Sequence, residues 1–115
     1  MGGVKMENIG IIESGEMMEN ELRICGMNCK IEKVKNYARD YTFLGTFCGN
    51  DSIIKLDNDL KLEVEQKTLL HEIIECINYQ FELDLEHNKI STIESALFWI
   101  LRDNKWLLEY LLKEE

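Results

Sequence analysis

The spacing of apolar residues changes about halfway along the chain. Leu22-Arg23-Ile24-Cys25 and Cys29-Lys30-Ile31-Glu32-Lys33-Val34 each partly alternate apolar with charged positions, as half-buried strands do. Gly26-Met27-Asn28 between them reads as the turn of a hairpin. Thr42-Phe43-Leu44-Gly45-Thr46-Phe47-Cys48 forms a further strand, Gly49-Asn50-Asp51-Ser52 has turn chemistry, and Ile53-Ile54-Lys55-Leu56 returns. These runs predict a small antiparallel sheet in the N-terminal half. From about Val64 to Phe81 the apolar residues fall at 69, 70, 73, 74, 77 and 81, which is helical spacing. A second helix is expected from about Ser91 to Leu101, with Ser91-Thr92-Ile93-Glu94 as its capping box. Asp103-Asn104 breaks it, and Lys105 to Glu115 makes a third, short helix with Trp106, Leu107, Tyr110 and Leu111. Strands followed by helices define an α+β class.

Residues 1–20 are acidic, Met-rich and without a firm period, and read as a flexible N-terminal arm before a single domain at 21–115. The length of 115 residues fits one domain with a modest core. Charge narrows the partners. A net charge of -9 argues against nucleic acid, whose backbone is gripped by clustered Lys and Arg. No apolar run approaches the roughly 20 residues that span a bilayer, so no membrane is expected. With no basic-then-apolar leader, the expected location is the cytoplasm. There the four cysteines, Cys25, Cys29, Cys48 and Cys76, are expected as free thiols.

Chemistry concentrates on the first long helix, in His71-Glu72-Ile73-Ile74-Glu75. Residues 71 and 75 are one turn apart, so both side chains leave the same face. Two ligands at this spacing grip a metal ion, and the intervening Glu acts as general base toward water. The usual second ligand is His; here it is Glu75, and carboxylate oxygen is a competent zinc ligand. A further ligand must come from elsewhere, and His87 and Glu94 are the candidates. His87 precedes the second helix and reads more readily as an exposed loop histidine than as a ligand. Glu94 shares a face with Leu97, Phe98 and Leu101, where an ionised carboxylate is costly unless paired. A metal would pair with it; so would the backbone N–H groups of a capped helix end. These alternatives stay open on spacing alone.

Thr68-Leu69-Leu70-His71-Glu72-Ile73-Ile74-Glu75, followed by Ala96-Leu97-Phe98-Trp99-Ile100-Leu101-Arg102-Asp103-Asn104, resembles the minimal ImmA/IrrE-like zinc metallopeptidases of phages and prophages. Leu44-Gly45 through Ile53-Ile54-Lys55-Leu56-Asp57 is similar to the strand pair that precedes their motif helix, and the resemblance covers roughly 22–104. It implies a zincin-like fold, Zn²⁺ as cofactor, His71 as first ligand, Glu72 as general base and Glu94 as the later acidic ligand. Glu75 stands where the family has its second His, and His87 matches no ligand of the family pattern. The resemblance further implies a protein or peptide substrate, such as a regulatory protein. The Glu at position 75 motivates the alternative of a catalytically inactive binding or regulatory module of phage origin. Trp106, Leu107 and Tyr110 offer a homodimer surface or pack on the sheet.

Overall fold

The computed structural model describes residues 18–115. Of the expected arm, positions 1–17 lie outside the described residues. Its last residues are docked: Met18 packs against the core, and the Asn20 carbonyl accepts a 2.9 Å hydrogen bond from the Ile31 amide.

The two hairpins foreseen from alternation both form. Strand β1 (Glu21–Ile24) pairs antiparallel with β2 (Met27–Val34), Ile24 opposite Met27. The turn is tighter than the pattern suggested. Cys25 and Gly26 alone make it, both with positive φ (49° and 89°), the conformation that suits a two-residue hairpin loop. Strand β3 (Gly45–Cys48) pairs antiparallel with β4 (Ile53–Asp57). The sheet as a whole is mixed, with order β1-β2-β4-β3, because β2 and β4 run parallel with Ile31 opposite Ile54. The expectation of a wholly antiparallel sheet is corrected here for a topological reason. The chain between the hairpins carries it to the far edge, so β3 lies outside and β4 inserts beside β2. That connection holds helix α1 (Tyr37–Tyr41), whose single turn is too short to show a period.

Helix α2 (Leu62–Phe81) lies on one face of the sheet. Leu69, Ile73, Cys76 and Ile77, at helical spacing, pack against Ile24, Cys29, Ile31, Ile54 and Leu56. The approach to β3 is close: a Cβ on Gly45 would come within 2.6 Å of the Thr68 methyl. Glu65, buried near the start of α2, pairs with Lys33 of β2 at 2.5 Å and pins this end over the sheet. Helix α3 (His87–Asp103) packs along α2 and presents Ile90, Glu94 and Phe98 as its buried stripe. Helix α4 (Lys105–Leu111) leans on α3, and Trp106 and Tyr110 are both exposed, so their stripe does not pack on the sheet. Strands in the first half and helices in the second make this an α+β arrangement. Among the described residues, no helix is long and apolar enough to cross a membrane.

Candidate metal centre

The site forms where α2 and α3 meet, and a short turn decides its geometry. Helix α2 ends at Glu82, whose positive φ of 53° lets its amide reach back to the Asn78 and Tyr79 carbonyls. The Asn78 side chain then holds the turn: its Oδ1 accepts the Leu85 amide at 2.9 Å, and its Nδ2 donates to the Leu85 carbonyl at 3.4 Å. Helix α3 begins two residues later. His87 is its first residue, four positions earlier than the capping-box reading placed the start. The early start went unseen because His87-Asn88-Lys89 are polar and the apolar period begins only at Ile90. Ser91 accordingly lies inside the helix, and Glu94 cannot cap it.

His71 and Glu75 share a face of α2 as the spacing requires, with His71 Nε2 3.4 Å from Glu75 Oε2. His87 Nδ1 comes to 3.7 Å from the same oxygen, and the two imidazoles lie with centroids 4.9 Å apart. His71, Glu75 and His87 thus offer three donor atoms within 4.8 Å of one another. Tetrahedral zinc with Zn–N and Zn–O near 2.0–2.1 Å separates its donors by about 3.3–3.4 Å, so these spacings fit such an ion after small side-chain movements. The donor set is right too, since two imidazoles and one carboxylate are a known catalytic zinc set that leaves a position for water or substrate.

Glu94 is adjacent but outside this group. Its Oε1 lies 3.5 Å from His71 Nδ1, on the other side of the ring. Its Oε2 is buried without a hydrogen bond, with Lys67 Nζ 3.9 Å away. Lys67 was not singled out by sequence. The signal was present, because 67, 71 and 75 form one stripe on α2, but an exposed-looking lysine on a helix is ordinary. Glu72 is buried behind the stripe. Burial, and then the neighbouring Glu75 carboxylate, push its carboxyl up to about 7. Cys76 points into the core, its Sγ 3.7 Å from Met27 Sδ, and takes no part.

Compared with models of known protein families, with curated proteins and with solved structures, the chain matches none.

Proposed function

We propose that this chain is a zinc-dependent peptidase of the minimal ImmA/IrrE-like phage and prophage type. The observation that carries this reading is the convergence of His71, Glu75 and His87 donor atoms at ligand spacing beside a buried Glu72. A bound zinc ion supplies Lewis acidity, polarising a carbonyl and making water more acidic. The protein's own residues do the rest. His71 and Glu75 hold one side of the site from a rigid helix, and His87 closes it from the next. Glu72 accepts the proton of the attacking water and returns it to the leaving amine, as a general base whose pKa lies near neutrality can. His87 replaces the imidazole that position 75 lacks, which restores a two-histidine, one-carboxylate set. We place the protein in the cytoplasm of a bacterial host, where the free thiols of Cys25, Cys29, Cys48 and Cys76 would persist.

The test is metal content and peptide hydrolysis together. Wild-type protein should bind one zinc per chain and His71→Ala none. Glu72→Gln should retain zinc and lose hydrolysis by about 10²–10⁴-fold, the usual range for a general base. A second reading, an inactive binding or regulatory module, is favoured by the extra negative charge of Glu75, which weakens the Lewis acid. It predicts zinc bound and no Glu72-dependent cleavage of any peptide.

A further inference from the structure

His71 lies between two carboxylates, one at each ring nitrogen. Nε2 faces Glu75 Oε2 at 3.4 Å, and Nδ1 faces Glu94 Oε1 at 3.5 Å. A neutral imidazole has one N–H and one lone pair. Only one nitrogen can ligate a metal, and the other must then give its proton to an acceptor. The ligand side is fixed by neighbours, because Glu75, which Nε2 faces, also lies beside the Nδ1 of His87. Glu94 lies outside the three-atom group. It is nevertheless poor in partners: the side chain is 11% exposed, Oε2 has no hydrogen bond, and Lys67 Nζ stays 3.9 Å away. A carboxylate so placed is costly without a proton donor, and His71 Nδ1, 3.5 Å from Oε1, is nearer than Lys67 Nζ.

We propose that Glu94 is a positioning residue for His71: it holds Nδ1–H toward α3 and turns Nε2 to the metal. A corollary is that the two histidines ligate through opposite ring nitrogens, His71 through Nε2 and His87 through Nδ1. The inference rests on the metal-site reading above. The plainer role for Glu94 is an ion pair with Lys67 that pins α3 to α2, and the role implied by the family resemblance is direct ligation. Carboxylates behind metal-bound histidines fix ring orientation and basicity, and their loss typically weakens metal binding about 10–100-fold.

The experiment uses the full chain with ¹⁵N-labelled histidine. There are only two histidines, so every ring nitrogen is resolved. With zinc bound, His71 should carry its proton on Nδ1 and ligate through Nε2, and His87 should show the reverse. This measurement needs no variant, so it stands even if substitution at 94 impairs folding. Glu94→Gln should still bind one zinc per chain, with a dissociation constant raised about 10–100-fold and the visible spectrum of its cobalt(II) form unchanged. Ligation of His71 through Nδ1 would overturn the proposal. So would wild-type affinity in Glu94→Gln, which would leave only the helix-pinning role. A cobalt spectrum showing a lost ligand would make Glu94 a ligand and overturn it too. If wild-type protein binds no zinc, or His71→Ala binds it equally well, the metal-site reading itself fails and this inference falls with it.

Discussion

Glu75 Oε2 faces two imidazoles at once, His71 at 3.4 Å and His87 at 3.7 Å. A histidine at position 75 would have supplied both imidazoles of the set from α2, leaving the next helix to give only an acid. A carboxylate there makes the site depend on a side chain from the next helix. Replacing His87 by Ala should therefore weaken zinc binding by more than the roughly 10–100-fold expected of an outer-shell change, measured by competition with a chelating dye. Because the His87 side chain is largely exposed, thermal stability of the metal-free protein should stay within about 0.5 kcal/mol of wild type, as for other surface substitutions. At this scale the His71–Glu75 pair was legible, since helical spacing alone puts both on one face. The position of Glu94 on an apolar face was legible as well, but its partners were not. Which ring nitrogen it meets, and that Lys67 flanks it, depend on how α3 lies against α2, which no local spacing encodes.

Two polar side chains set the positions of whole elements. Asn78 bonds both the amide and the carbonyl of Leu85, so it fixes the turn that delivers His87. Asn78→Ala should cost about 1–2 kcal/mol, as expected for two lost hydrogen bonds, and should weaken zinc binding in parallel, both followed by thermal melts with and without the ion. Asp57, at the end of β4, accepts the Ala38 amide at 2.9 Å and the Asp59 amide at 3.1 Å, tying α1 to the sheet. Chiefly the Ala38 bond holds its carboxyl below the usual carboxylate range. Its contribution to stability is thus fully present above a pH of about 4, the ordinary Asp value, and is lost as pH falls through the lowered folded value. Asp57→Asn should flatten the acid limb of a stability–pH curve while lowering stability near neutrality. Strands and long helices were readable from period because each buries one face. Helix α1 was not, as Asn36 and Thr42 bound it with positive φ after a single turn. The start of α3 was missed for a different reason: its first three residues are polar and exposed, and Ser91 supplied a false cap.

The molecule joins two hairpins edge to edge and lays helix α2 against them, with α3 packed along α2. Both hairpins were visible in the chain, but their parallel junction was not. Alternation reports which face a strand buries and says nothing of its neighbour. Glu65 and Lys33, distant in sequence, belong to that same hidden level, and only their pairing shows why an acid is buried near the start of α2. In the proposed site the ligands come from both α2 and α3, so a bound metal should act on the whole fold. Zinc free at 100 times its dissociation constant should stabilise the chain by about 2.7 kcal/mol. For a domain of this size that raises the melting temperature by roughly 10–20 °C, and a chelator should reverse it.

The parallel β2–β4 pair has a kinetic consequence. It cannot form until the long excursion through α1 and β3 has closed, and such non-local pairings are slow steps in folding. His71, Glu75 and His87, by contrast, lie within one helix–turn–helix segment. The half that carries the proposed ligands can therefore assemble early and wait for the sheet, so zinc present during refolding should meet that site before the core has closed over the other face of α2.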